Sequence, residues 1–221
     1  MTSRYSIRLL VLTFLMPALT AVGQAPDAKT VVAAASKALG ADNVSTLHYS
    51  GSGSSYAVTS GPVPAGGWPH RVMKAYVRHL NLKANTLSQK VTSTEGTGDQ
   101  TATDVVDNNS PWDSQYEFWI TPYGFLRGAM ANNATAESIT VYGTPYKVVT
   151  FTLPGNHKVV GYINDKDLIE KIETSVGDRL VEASYRDYID HKGVKVPMMV
   201  IQKHAGHVSL ILIVKDVKVE A

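Results

Sequence analysis

The stretch GDRLVEASYRDYIDHKGVKVPMMVIQK, residues 177–203, decides the fold. It predicts two long strands joined by a tight turn, because apolar and polar residues alternate along both halves with the period of two that is typical of a half-buried strand. Gly193 supplies the positive φ that a turn at residues 190–193 requires. The apolar face is predicted to comprise Val181, Ala183, Tyr185 and Ile189 in the first strand and Val194, Val196, Met198 and Val200 in the second. Such a surface needs a cover or a ligand.

A second apolar segment, residues 112–135, offers that cover. Large apolar side chains recur there at helical spacings, Pro122 can restart a helix at its first turn, and Asn132 can end it. We therefore expect a broken helix that either plugs the concave side of a curved sheet or lines the mouth of an apolar pocket. The residues predicted to line a ligand pocket are Trp119, Phe125, Leu126, Met130, Tyr185 and Met198.

The rest of the chain predicts one more helix and a series of strands. Residues 27–39 form a helix with an acidic N-terminal turn, and Gly40 follows its end. Strands are expected at residues 44–50, 72–83, 86–95, 145–153, 157–164, 168–174 and 207–220, whereas the polar residues 96–109 and the glycine-rich end of the first strand are expected to be loops. The apolar run at residues 210–214 is expected to lie in a central strand that is covered on both faces. Short connections favour antiparallel pairing. The predicted fold class is α+β: a strongly curved, mainly antiparallel sheet, or half-barrel, with an N-terminal helix and a broken helical plug.

Residues 1–23 are predicted to be a signal peptide. Arg4 and Arg8 precede an apolar run, and Ala21 and Gly23 have the spacing of a signal-peptidase site. The run is shorter than the roughly 20 residues of a membrane span, although an uncleaved anchor is an alternative. We expect cleavage after Gly23 or Ala25, a single α+β domain of residues 24–221, no stable membrane span after leader removal, and a periplasmic or secreted location.

Charge and cysteine content exclude several functions. The chain has 21 Lys and Arg against 19 Asp and Glu, and two of the arginines lie in the leader, so the mature chain is formally neutral. Nucleic-acid binding relies on an excess of basic groups, and we expect none here. Because the chain has no cysteine, it has no disulfides, thiolate ligands or cysteine nucleophile.

No catalytic motif emerges from the sequence. It contains no G-x-S-x-G elbow, glycine-rich phosphate loop or H-E-x-x-H signature, so we expect a protein that is not an enzyme and has no cofactor or metal. The alternative is a zinc enzyme that uses His191, His204 and His207, since histidine is a common zinc ligand. The spacing of the last two histidines fits a turn through residues 205–206 better, because strand alternation would place residues three apart on opposite faces.

Four segments resemble the N-terminal accessory region of exported bacterial metallo-β-lactamase-fold hydrolases. They are ALGADNV (38–44), WITPYGFLRGAMANNAT (119–135), VVGYINDKDLIEKIET (159–174) and GDRLVEASYRDYIDHKGVKVP (177–197). The metal-binding histidines of that family belong to its downstream catalytic domain, and no such motif occurs in these residues, so the resemblance implies no catalytic residue. The pattern of a helix followed by long antiparallel strands is also similar to the lipoprotein-carrier (Lol-type) folds, which implies a curved sheet around a helical plug with a hydrophobic cavity.

Two functions follow as expectations. The first is an exported, non-enzymatic binding domain that holds an apolar small molecule, a lipid or a lipoprotein-like ligand in the concave face of the sheet. The second is a structural accessory domain or subunit that associates with a metallo-β-lactamase-fold hydrolase as its partner. The first predicts a cavity inside the sheet, and the second predicts an apolar patch on the outside.

Overall fold

A computed structural model describes residues 25–59, 61–95 and 98–221. The predicted signal peptide, residues 1–23, lies outside the described residues, and the division of the chain at that point stays a prediction. The described chain forms three α-helices, a short 3₁₀ turn (Ala41–Asn43) and eleven strands. The helices are α1 (Ala28–Leu39), α2 (Trp112–Trp119) and α3 (Pro122–Ala131). The strands are β1 (Thr46–Tyr56), β2 (His70–Asn81), β3 (Thr86–Glu95), β4 (Gly98–Val106), β5 (Thr135–Val141), β6 (Thr144–Leu153), β7 (His157–Ile163), β8 (Ile169–Val176), β9 (Arg179–His191), β10 (Val194–His204) and β11 (His207–Glu220).

All eleven strands form one antiparallel sheet in the order β4-β3-β2-β1-β11-β10-β9-β8-β7-β6-β5. Two sequential meanders, β1 to β4 and β5 to β11, are joined where the first strand pairs with the last. The sheet is curved and does not close, so it is a half-barrel with a concave and a convex face. The predicted α+β fold class is confirmed.

The hairpin of β9 and β10 has the predicted turn. Lys192 and Gly193 both have positive φ, 59° and 86°, which is the geometry of a two-residue hairpin loop. Val181, Ala183 and Tyr185 are buried as predicted, but Ile189 is 50% exposed. The prediction for Ile189 was wrong because Asp187 adopts a left-handed conformation, φ 57°, which interrupts the alternation beyond Tyr185.

Two segments predicted to be loops are strands. β1 continues through its glycine-rich end, where a Cβ at Gly51 or Gly53 would lie 2.1 or 1.9 Å from a carbonyl oxygen of β11, so glycine permits the close pairing. Residues 96–109 were predicted to be a loop, but residues 98–106 form the edge strand β4, which pairs with β3 along its length. β4 is exposed except at Val106, and its ladder therefore depends on the backbone rather than on apolar burial.

The helices cover the concave face for a topological reason. β4 and β5 are the two edges of the sheet and are also consecutive strands, so the segment between them must run from one edge to the other. That segment is α2 and α3, which break at Ile120 and Thr121 as the sequence predicted. Helix α1 packs beside α3 and against β5, β6 and β10. It ends at Gly40, whose φ of 68° gives the expected left-handed cap.

β11 occupies the predicted interior position in the sheet, between β1 and β10. Its apolar run was expected to be covered on both faces, and this was wrong. Leu212 and Val214 are buried on the concave side, whereas Ile213 is 39% exposed on the other. The helices cover one face of the sheet only, so alternate residues of this strand face solvent.

Candidate functional site

The concave face is occupied by side chains of the broken helix. Trp119, Phe125, Leu126 and Tyr185, four of the residues predicted to line a ligand pocket, are all buried in the main core cluster. Met198 is partly buried and packs against that cluster, whereas Met130, the sixth, is 54% exposed on the outer side of α3. The structure therefore does not gather the six around one cavity, and their role in ligand binding stays a prediction.

Tyrosine hydroxyls hold the helix break against the sheet. Tyr185 donates a hydrogen bond to the carbonyl oxygen of Ile120 at the end of α2. Tyr123 of α3 donates to the carbonyl oxygen of Lys195, with an O–O distance of 2.7 Å. Burial raises the pKa of both phenols, so both keep the proton that they donate. These bonds fix the two helices to β9 and β10, the strands of the opening hairpin.

An apolar groove lies at the margin of this plug. It forms where the N-terminal end of α1, the C-terminal end of α3 and the start of β5 meet, and its volume is about 710 Å³. Pockets that hold small ligands have volumes of roughly 300–1,000 Å³ and mostly apolar walls. The apolar side chains that line the groove are Ala25, Pro26, Ala28, Val32, Ala33, Ala129, Met130, Ala134 and Ala136.

Most walls of the groove carry no charge. Its charged side chains are those of Asp27, the N-cap residue of α1, and Lys29, in the first turn of α1. Asp27 accepts hydrogen bonds from the hydroxyl of Thr30 at 2.6 Å and from its backbone N–H at 3.0 Å, and these bonds lower the pKa of the carboxyl group. Because that carboxylate is engaged in capping the helix, the polar side chains that the groove leaves for a ligand are Lys29, Asn133 and Thr135, and the rest of the lining is apolar.

A buried polar network lies elsewhere on the concave face, beside α2. The guanidinium of Arg78 pairs with the carboxylate of Glu117 at 3.0 Å and donates to the amide oxygen of Gln89 at 2.7 Å. Gln202 donates to the same carboxylate at 3.2 Å, and Tyr76 donates to Gln89 at 2.9 Å. A buried ion pair is costly unless hydrogen bonds satisfy its remaining groups, and these amides provide them.

The sequence carries one signal for this network. Arg78 alternates in phase with Tyr76 and Leu80 on the buried face of β2, and a charged residue in that position demands a buried partner. The partner, Glu117, lies on a helix that is 39 residues further along the chain. Sequence alone does not reveal that pairing.

The three histidines of the zinc hypothesis do not form one site. His204 and His207 face each other across the β10–β11 turn, but His191 pairs with Val194 at the other end of β10. Eleven residues of strand separate the two ends by about 33 Å. Among the residues that the structure describes, no group of three or more histidine and carboxylate side chains is arranged to hold a metal ion.

No helix in the described ranges, 25–59, 61–95 and 98–221, is long and apolar enough to cross a membrane. No protein-family model matches the chain, and no curated protein sequence matches it.

Solved structures do resemble the chain. A DUF1329 family protein from Desulfovibrio piger is 10% identical and has a TM-score of 0.51, with 88% of this chain and 93% of that one covered. A domain assigned as an outer membrane lipoprotein-sorting protein from Vibrio parahaemolyticus is also 10% identical at a TM-score of 0.51, with 88% and 94% covered. A LolA superfamily protein from Nitrosomonas europaea is 13% identical at a TM-score of 0.49, with 89% and 95% covered.

At these identities the likeness concerns the fold alone. It supports the predicted similarity to Lol-type folds, a curved antiparallel sheet with helices on its concave side. None of the three structures shows a link to metallo-β-lactamase-fold hydrolases, and that resemblance stays a prediction.

Proposed function

We propose that this chain is an exported binding protein that holds an apolar ligand, such as the acyl chain of a lipid or lipoprotein, without transforming it chemically. The observation that carries the proposal is the apolar groove of about 710 Å³ between α1, α3 and β5. Most of its walls are alanine, proline, valine and methionine, and contact with these side chains excludes water from an apolar ligand, which lowers the free energy. The likeness of the fold to a lipoprotein-sorting domain agrees with this function.

The site therefore differs in detail from the pocket expected from the sequence. Met130, the predicted ligand-lining residue that the core does not bury, lies in the wall of the groove. The proposal places the ligand at the margin of the concave face, between the helices and an edge strand, rather than beneath the plug. It includes a periplasmic or secreted location, for which the support is the leader-like composition of residues 1–23.

The proposal is tested with a neutral apolar dye, N-phenyl-1-naphthylamine, whose fluorescence rises when it leaves water. The natively purified full chain should take up the dye, and native mass spectrometry should detect a copurified apolar molecule that competes with it. The variant Met130→Lys places a charge in the groove at a position that is already half in solvent, so the fold should tolerate it. We expect its affinity for the dye to fall at least tenfold.

Val105→Lys is the matched control, because Val105 is 70% exposed on β4 at the opposite edge of the sheet. Its dye affinity should equal that of the unmodified chain. Absence of dye uptake by the unmodified chain, or equal uptake by Met130→Lys, would refute the groove as the binding site.

A further inference from the structure

A second pocket lies at the polar network, separate from the apolar groove. It has a volume of about 300 Å³ and is open on one side; it is lined by the end of β1, the middle of β2 and β3, the end of β10, the start of β11 and Glu117 of α2. It shares no lining residue with the groove. We call it the polar pocket and define it by Arg78, Gln89, Glu117, Gln202, His204 and Ser209, with Met73, Val91 and Leu210 as apolar walls.

Three residues of the polar pocket carry buried polar atoms without a protein partner. They are the Nε of Arg78, the Nε2 of His204 and the hydroxyl oxygen of Ser209. Arg78 is 4% and Ser209 9% exposed, so both side chains are more than nine-tenths removed from solvent. Buried polar groups in folded proteins are nearly always paired, and three unpaired ones around one cavity point to a missing partner.

The partner must be an acceptor. The Nε of Arg78 carries a hydrogen that it can only donate, and a serine hydroxyl donates readily to an oxygen. Burial lowers the pKa of His204, which keeps the ring neutral at neutral pH and leaves one ring nitrogen able to donate or accept according to its tautomer.

The charge of the pocket selects an uncharged ligand. The positive charge of Arg78 is already balanced by Glu117, whose carboxylate lies 3.0 Å from the guanidinium and lines the same cavity. An anionic ligand would bring a second negative charge beside that carboxylate, whose side chain is only 15% exposed, which is unfavourable. A carbonyl oxygen accepts the same hydrogen bonds without this repulsion.

We propose that the polar pocket binds the carbonyl group of an uncharged acyl ester or amide, with the carbonyl oxygen held by Arg78 and Ser209. The apolar walls at Met73, Val91 and Leu210 receive the first carbons of the acyl chain. This site is independent of the ligand in the groove, so either proposal can fail alone.

The test uses three probes of equal chain length: octanamide, glycerol monooctanoate and octanoate, titrated into the full chain by calorimetry at pH 8. Octanamide and the ester should bind, and octanoate should bind at least tenfold more weakly. If only octanamide binds, the pocket recognises amides. If octanamide and glycerol monooctanoate both bind, the pocket also accepts glycerol esters. Either result supports a neutral carbonyl ligand.

Ser209→Ala separates binding from structure. It removes a buried hydroxyl that has no partner in the protein, so the resistance of the chain to urea should stay equal or rise. Binding of octanamide should nevertheless weaken at least fivefold. If Ser209 acted only in folding, Ser209→Ala would lower the resistance to urea and the binding of octanamide together. The control is Ser184→Ala, because Ser184 lies on the face of β9 that is opposite to the buried Ala183 and Tyr185. This substitution should change neither the resistance to urea nor the binding of octanamide.

Each of four results would overturn the inference. Octanoate could bind as tightly as octanamide, or Ser209→Ala could leave octanamide binding unchanged. A crystal structure grown with octanamide could show only ordered water on Arg78 and Ser209. Loss of octanamide binding in Met130→Lys but not in Ser209→Ala would assign the probe to the groove, which would overturn the polar pocket and leave the proposed function intact.

Discussion

The packing of the plug on the sheet is tested most directly at Gly161. A Cβ at this position of β7 would lie 2.2 Å from the ring carbon Cζ of Phe125 in α3, whereas carbon atoms in contact prefer about 3.5–4.0 Å. The ring cannot retreat freely, because Phe125 is fully buried and packs on Phe151 at a centroid distance of 5.4 Å. We therefore expect Gly161→Ala to lower the free energy of unfolding by about 1–3 kcal/mol, the usual cost of overpacking a core.

A double-mutant cycle identifies the cause. Phe125→Leu alone removes part of the ring and should cost about 1–2 kcal/mol, less than the roughly 3–5 kcal/mol of a truncation to alanine. If the ring is what the new methyl group meets, Gly161→Ala should add little to Phe125→Leu, and the coupling energy should be about 1 kcal/mol or more. The assay is urea unfolding followed by tryptophan fluorescence, with the midpoint and slope both fitted.

Gly98→Ala is the control, because a Cβ at Gly98 would meet nothing within 4 Å. It should be neutral or slightly stabilising, since alanine reduces the entropy of the unfolded chain. Additive costs in the cycle, or a neutral Gly161→Ala, would show that α3 does not lie on β7 as described.

Two further predictions concern other contacts. Gly40→Ala should lose about 1–3 kcal/mol of stability, because Gly40 has a φ of 68° and its Cβ would lie 1.9 Å from the carbonyl oxygen of Gly193 at the hairpin turn. The control is Gly206→Ala, at φ 79° in open space, which should show only the smaller conformational cost. Equal costs of the two substitutions would refute the contact between Gly40 and Gly193. Burial lowers the pKa of His204, with Glu117 opposing and Arg179 reinforcing the shift, so the unfolded chain binds this proton more readily and stability should fall as pH drops below about 6.5. Urea midpoints between pH 8 and 5 should show a shallower slope in His204→Gln than in the exposed-site control His207→Gln, and identical slopes would contradict this reasoning.

The local elements were predictable because each follows from short-range chemistry. Alternation around Tyr185 and the turn at Gly193 specified the hairpin, and Pro122 at the first turn of α3 specified the helix break. Prediction failed where a strand is formed by backbone hydrogen bonds without an alternation of apolar and polar residues. β4 is exposed at nearly every residue, so its sequence carries no alternation, and it is a strand because β3 offers a free edge.

The sites were less predictable because each combines distant segments. The groove brings together the start of α1, the end of α3 and the start of β5, and most of its walls are alanines that are common in any helix. Arg78 was visible as a charge on an apolar face, but its partner Glu117 depends on how α2 crosses the sheet. The sequence predicted that Trp119 and Phe125 either plug the concave side of the sheet or line a pocket. Both arrangements need the same large apolar side chains, so the sequence could not distinguish the burial that the structure has from a pocket wall.

The position of the two pockets follows from the energy needed to move the plug. A ligand that displaced α2 and α3 from the concave face would break three buried polar contacts: Tyr185 with Ile120, Tyr123 with Lys195, and Arg78 with Glu117. Leaving a buried polar group unpaired costs about 1–3 kcal/mol each. Exposing the large side chains of the plug costs about 1.5–3 kcal/mol each in addition.

A chain of twelve methylenes gains only about 10 kcal/mol on burial, so displacement of the plug offers such a ligand little net affinity. Binding at the margins, in the groove on one side or at the polar pocket on the other, incurs neither cost, and the fold therefore favours ligands that lie beside the plug over ligands that replace it.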